Sequence, residues 1–311
     1  MLAWVVGAGG LLGSHVAAAL GAQAWAPGPG KVPWRDPEAA ALALAERAGR
    51  FSAAVGPGPW ALAWCAGAGV VGASRETLAV ETGYLEQLLG LLGTLLAGRP
   101  GKVLLASSAG GVYAGNPCQP LTEASRCMPM SDYGRNKLRQ EDLLARWALG
   151  RPEVSTLVAR ISNLYGPGQD MGKPQGLIAH ISRSLIHRTP VHVYVPLDTL
   201  RDYVYVADCA AQLAAGLARL AQSPAEHVTR IFHGGETVTI AGILGAFARI
   251  AKGRPRIICA PSFRRSLQPA RLQFRSTVWP DLEPRARTSL AVGIQRVFRH
   301  QLALFQQGRL P

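Results

Sequence analysis

"LAWVVGAGGLLGSHVAAAL", Leu2 to Leu20, reads as a short apolar strand, a glycine turn and a helix with apolar residues at helical spacing. Gly7, Gly10 and Gly13 stand three apart across the turn. Glycines so placed permit a tight bend, let the backbone approach a pyrophosphate and pack helix against strand, while the N–H groups that open the helix face the anion. The alternation then repeats. "PWALAWCAGAG" is a second apolar strand that closes in small residues, among them Cys65, Ala66 and Gly67, where a backbone lying close to a dinucleotide needs them. "KVLLASSAGGVY" ends a strand in Ser107 and Ser108, and "STLVARISNLYG" and "TRIFHGG" continue the series. Strands alternating with helices predict a parallel sheet covered on both faces, an α/β chain of the Rossmann-type, doubly wound kind.

Composition agrees with a globular protein: 311 residues, 48% apolar and 17% charged. The five cysteines are odd in number, lie far apart and form no CxxC or Cys/His cluster. A reduced cytoplasmic protein without a metal site is the expectation. The formal net charge is +14, and from Lys252 onward the chain is rich in arginine with only Asp281 and Glu283 as acids. Such a surface favours anionic partners. "RPRIICAPSFRRSLQPARLQFR" lacks the interleaved aromatics of a single-strand platform and any zinc-finger pattern, which counts against nucleic acid; a phosphorylated small molecule is the other candidate partner, and a solvated basic surface is the competing reading. The uncharged N-terminus has no basic residue before Lys31, which argues against an export signal, and its glycines argue against a membrane span.

"YGRNK", Tyr133 to Lys137, places a tyrosine and a lysine four apart, on one face of a helix. A lone phenol is too weak an acid to act as a base near neutrality. An ammonium about 5 Å away stabilises the phenolate by roughly 3 kcal/mol at an effective dielectric of about 20. Ser108 at a strand's carboxyl end would reach the same crevice. Taken with "SSAGGVYAG", "ARISNLYGPGQ", "RDYVYVADCA", "HGGETVTIAGIL" and "TSLAVGIQRV" in order, the chain resembles the extended short-chain dehydrogenase/reductases, specifically the NAD-dependent epimerase/dehydratase group that acts on nucleotide sugars.

The resemblance implies a catalytic set of Tyr133, Lys137 and Ser108. Many relatives carry the serine or threonine where this chain has Ala109, so Ser108 requires a one-residue shift and Ser107 is the fallback. It implies a nicotinamide cofactor held by Gly7, Gly10, Leu11, Leu12, Gly13, Cys65, Ala66, Gly67, Ile161 and the Tyr133–Lys137 pair. Asn163 and Arg201, with Ser108, would meet a nucleotide-diphosphate sugar, an arginine fork suiting the diphosphate. Arg201 with Asp202 as a structural ion pair is the competing reading, and Asp208 reads as a helix N-cap. No acid follows the expected second strand, "AQAWAP", until Asp36, whereas Lys31 or Arg35 suits a 2′-phosphate; NAD and NADP both stay open.

Departures narrow the reaction. Related dehydratases carry an Asp-Glu pair where this chain has Gly110 and Gly111, and epimerase-reductases carry a cysteine at the latter place. A 4-epimerase and an NADPH-dependent keto-sugar reductase remain, beside a cofactor-binding protein that has lost turnover. Relatives also carry asparagine near Glu81. The expected dinucleotide domain is residues 1–162 with about 203–234, and the smaller, discontinuous α/β substrate lobe is about 163–202 with 235–311. Relatives pair as dimers through two long helices, here near Glu76 to Leu96 and Tyr133 to Leu149.

Overall fold

The computed structural model describes residues 1–67, 69, 72–172, 175–220, 225–251, 253, 255–259, 269–284 and 286–310. Among these, five strands form a parallel sheet in the order β1 (Leu2–Val6), β2 (Trp60–Trp64), β3 (Gly101–Ser108), β4 (Val154–Ile161), β8 (His227–Phe232). Because side chains alternate along a strand, each strand feeds two cores. Trp4, Val6, Leu62, Trp64, Val103 and Leu105 pack on one face against α2 (Pro37–Val55), α3 (Arg75–Leu95) and α5 (Asp132–Ala148). Ala3, Val5, Ala61, Ala63 and Leu104 face α1 (Leu11–Leu20) and α7 (Val206–Leu220) on the other. The tryptophans of β1 and β2 thus fill one layer, and the small residues between them let α1 and α7 lie close to the sheet.

Beyond β4 a second group of elements packs on its own core. β5 (Asn163–Tyr165) runs parallel to β7 (Leu200–Tyr205), which also pairs with β9 (Thr237–Thr239) and β11 (Arg271–Leu272). β6 (Val191–Val193) pairs with β10 (Ile257–Cys259). Ile178 and Ile181 of α6 (Leu177–His187), Ile243 and Phe247 of α8 (Ile240–Ile250), and Ile294 and Val297 of α9 (Leu290–Gln306) are buried together there. Much of the arginine-rich segment, residues 260–268, lies outside the described residues.

Two expectations are corrected. "AQAWAP" forms no full strand: Ala24 makes an isolated parallel bridge to Ala3, and the Gly/Pro-rich chain after it turns away. Asp36, the first acid, is spent on capping α2, its carboxylate accepting the Ala39 amide at 3.0 Å. Asp208 is not an N-cap. It sits inside the first turn of α7 and accepts from the amide and hydroxyl of Thr288, tying down the entry to α9. No helix of the described residues is long and apolar enough to cross a membrane.

Candidate active site

A cleft of about 1390 Å³ opens where the carboxyl ends of the parallel strands meet the second group of elements. A single small-ligand pocket holds roughly 300–1,000 Å³, so this one has room for two nucleotides end to end.

Its first end is the glycine turn. Gly7 adopts φ +89°, and its carbonyl accepts the Gly10 amide at 2.9 Å. A Cβ on Gly7 would strike the Ala66 backbone, and one on Gly13 would strike the Gly7 carbonyl, so both are packing glycines. Gly9, by contrast, has nothing within 4 Å of its missing Cβ and lines the cleft, and Gly10 caps α1 with no side chain satisfying the first amides. An open glycine wall beside uncapped helix N–H groups fits a pyrophosphate. Leu11, Leu12, Cys65, Ala66, Gly67 and Ile161 line the same stretch. Burial pushes the Cys65 thiol up to about 12 against the pull of Lys137, so it stays neutral. Lys31 is exposed and is not among the residues lining the described cleft.

The middle of the cleft gathers the proton-handling groups. Ser131 caps α5, accepting the Gly134 amide at 3.2 Å, and so places Tyr133 in the first turn with Lys137 one turn on. Gly134 lies against the Gly111 carbonyl, where any side chain would collide, which lets α5 close onto the short helix α4 (Ala109–Val112). Ser108 caps α4, its Oγ accepting the Gly111 amide at 3.1 Å, which leaves its proton outside that bond. A Cβ on Gly111 would stand 3.1 Å from Tyr133 Cε1 and 3.3 Å from Ser108 Oγ, so the ring and the hydroxyl flank one point. Ser107 is placed differently: it donates to Glu141 at 2.5 Å, and Glu141 is gripped by Arg160 at 2.6 Å in a buried network. Its proton is committed there, which favours Ser108 on geometry.

Lys137 Nζ lies 5.8 Å from the Tyr133 ring centre and 3.3 Å from Glu81 Oε1, with both charged side chains buried. Burial opposes each charge, but the two ions, with Gln140 and the Gly69 amide, hold Glu81 below the ordinary carboxylate range and Lys137 above its ordinary value. That pairing was invisible in sequence, since the partners stand far apart along the chain.

At the far end lie Asn163, Arg201 and Tyr203. Asn163 donates to the Asp202 carbonyl at 2.7 Å. The Arg201–Asp202 ion pair is not formed. Asp202 turns its carboxylate to the Gly234 and Gly235 amides, while the Arg201 guanidinium, 7% exposed, bonds the Leu200 carbonyl. Burial lowers the guanidinium's proton affinity, with Tyr203 opposing. Such a cation is completed by an anion. Sequence reasoning missed His180, Arg183 and His187, which also line this end; their spacing of three and four on α6 was the available signal.

The sequence profile of the NAD dependent epimerase/dehydratase family matches residues 3–231. A dTDP-4-dehydro-6-deoxyglucose reductase of Escherichia coli is 32% identical over 107 residues, covering 34% of this chain and 33% of that protein. A dTDP-L-rhamnose 4-epimerase of Burkholderia thailandensis is 35% identical over 92 residues, covering 29% and 25%. The alignments thus span a third or less of these relatives' lengths. The structure of MoeE5 in complex with UDP-glucose and NAD superposes with a TM-score of 0.80 at 22% identity, covering 98% of this chain and 100% of that one, which establishes a common fold.

Proposed function

The chain belongs to the NAD dependent epimerase/dehydratase family, and on that premise we propose that it is a nucleotide-sugar 4-epimerase working with NAD or NADP. The observation that carries this reading is the convergence of Tyr133 and Ser108 on one point beside Gly111, with the Lys137 ammonium a turn away. When bound, the nicotinamide supplies a hydride acceptor and donor. The chain's own part is proton transfer and positioning. Ser108 donates to the reacting oxygen and orients it, while Tyr133 removes or returns that oxygen's proton. Lys137 stabilises the phenolate and is the residue to hold the nicotinamide ribose. Arg201 and Asn163 hold the sugar nucleotide, the guanidinium meeting its diphosphate. In this reading residues 1–162 and about 203–234 carry the cofactor, and about 163–202 and 235–311 the sugar nucleotide. The protein is cytoplasmic and a homodimer through α3 and α5, where Val80 and Leu95 stand exposed.

A second reading, keto-sugar reduction, is favoured by one feature: among the described cleft residues no carboxylate stands ready for adenine-ribose hydroxyls at the close of a second strand.

The protein is purified without added cofactor, denatured, and any released nucleotide identified by mass; UDP-glucose and UDP-galactose are then tested for interconversion. Stoichiometric NAD with interconversion supports the epimerase. Preference for added NADPH with one-way consumption supports the reductase. Binding of neither nicotinamide nucleotide refutes both.

A further inference from the structure

Lys137 is almost sealed from solvent and answers to a carboxylate from another helix. Its Nζ lies 3.3 Å from Glu81 Oε1 and 3.0 Å from Gln140 Oε1. Gln140 Nε2 donates to the same Glu81 oxygen at 3.2 Å, and the Gly69 amide donates to the other at 3.0 Å. Glu81, Lys137 and Gln140 are 8%, 6% and 0% exposed, so no water shell competes for these bonds. The Glu81 carboxylate also borders the active tyrosine: a Cβ on Gly69 would meet Glu81 Oε2 at 3.1 Å and Tyr133 Cδ2 at 3.5 Å.

The titratable groups facing Lys137 come from three elements: Glu81 on α3, Tyr133 and Glu141 on α5, and Cys65 at the end of β2. Glu141 is already neutralised by Arg160, and Cys65 is an uncharged thiol. Among the described residues, Glu81 is therefore the carboxylate left to balance the ammonium. We propose that Glu81 is a positioning residue that fixes Lys137 beneath the Tyr133 ring and offsets part of the ammonium's hold on the phenolate, so that Tyr133 keeps its proton until a substrate oxygen is in place to take it.

The proposal rests on Tyr133 as the proton-transfer group of the function above. In the step it favours, the Tyr133 O–H bond breaks and a new O–H bond forms on the substrate oxygen. The phenolate keeps the electron pair until solvent returns a proton. The same step returns the proton in the second half of an epimerase cycle and delivers it in a keto-sugar reduction.

The test needs no substrate. Tyrosinate absorbance is titrated against pH in the native protein and in Glu81→Gln and Glu81→Asp variants, each with and without Tyr133→Phe, so that the difference isolates one phenol. Removing a nearby unit charge at an effective dielectric of about 20 is expected to move a phenol's midpoint by roughly one pH unit. The Tyr133-dependent midpoint is expected to fall by about that much in Glu81→Gln and to return toward native in Glu81→Asp. An unmoved or raised midpoint in Glu81→Gln, or the same fall in both variants, overturns the proposal. Circular dichroism reports whether each variant is folded, and Glu81→Asn is the neutral substitute where glutamine does not fit. Because the readout is independent of turnover, a protein without epimerase or reductase activity still answers it, and an active enzyme with an unmoved midpoint sinks the role of Glu81 alone.

Discussion

Replacing Lys137 with methionine removes the ammonium while keeping most of the side chain's length, and it leaves Glu81 as a buried anion that keeps its bonds from Gln140 and the Gly69 amide. Removing one partner of a buried pair costs about 3–5 kcal/mol, a large share of the roughly 5–15 kcal/mol that holds a domain folded. The double variant Lys137→Met with Glu81→Gln removes both charges and keeps an amide able to bond the same neighbours, so most of that loss is recovered. Urea unfolding of the native protein, both single variants and the double variant gives the coupling. Catalysis is expected to be lost in Lys137→Met and to stay lost in the double variant, which separates the structural debt from the chemical one. The sign with pH follows. In the native protein Glu81's carboxyl sits below its ordinary value, so its contribution is present above that value and disappears as pH falls through the lower, folded one. In Lys137→Met the ammonium that held the carboxyl down is gone, so its value moves upward from the native one, with the Gly69 and Gln140 bonds still opposing burial. The deficit against the native protein therefore narrows as pH falls from about 7 toward 5. A double variant no more stable than Lys137→Met, or a deficit that widens on acidification, would refute the reasoning.

Tyr133→Phe is expected to lower turnover by about 10²–10⁴ with cofactor binding retained, checked by steady-state kinetics beside nicotinamide fluorescence titration. Gly13→Ala drives a methyl into the Gly7 carbonyl, and the turn must shift; cofactor affinity is expected to fall at least about tenfold in the same titration, with about 1–3 kcal/mol lost in urea unfolding. Arg201→Met, which removes the buried guanidinium lining the far end of the cleft, is expected to raise KM for the sugar nucleotide by about tenfold or more and to leave cofactor affinity unchanged, read from kinetics and the fluorescence titration. His233 is buried; burial lowers its proton affinity while Asp202 and Glu283 oppose. The unfolded chain then takes a proton near pH 6.5 that the folded chain refuses, so thermal stability is expected to fall between about pH 7 and 5.5, and His233→Asn to flatten that slope.

What the sequence disclosed is what its local spacing controls. The turn at Gly7, Gly10 and Gly13 is legible because its glycines are demanded within seven residues, and Tyr133 with Lys137 because four residues make one helical turn. The strands of the parallel sheet were legible as apolar runs, but "AQAWAP" had the same look and became one bridge at Ala24, since a strand exists only where a neighbour accepts its backbone. Glu81 was noticed only as a departure. Its bond to Lys137 joins α3 to α5 and depends on how those helices pack, which no spacing encodes. Ser107 and Ser108, adjacent and alike in sequence, were separated by a long-range partner: Glu141 takes the proton of the first, and the cap on α4 turns the second toward Tyr133.

Gly111 shows how a departure acquires meaning once its surroundings are known. In sequence it was a missing carboxylate or thiol, a reason to disfavour elimination. In the fold it is the gap between the Tyr133 ring and Ser108 Oγ, so tight that even a Cβ would press on both. The chain has therefore not simply lost a side chain at this point. Tyr133 and Ser108 bracket the place where one would stand, and Gly134 lets α5 lie close against α4. A side chain placed at Gly111 would require the Tyr133 ring or the Ser108 hydroxyl to give by a few tenths of an ångström. Tyr133 and Ser108 thus converge on one point, and in the proposed function that point is where a single substrate oxygen exchanges its proton.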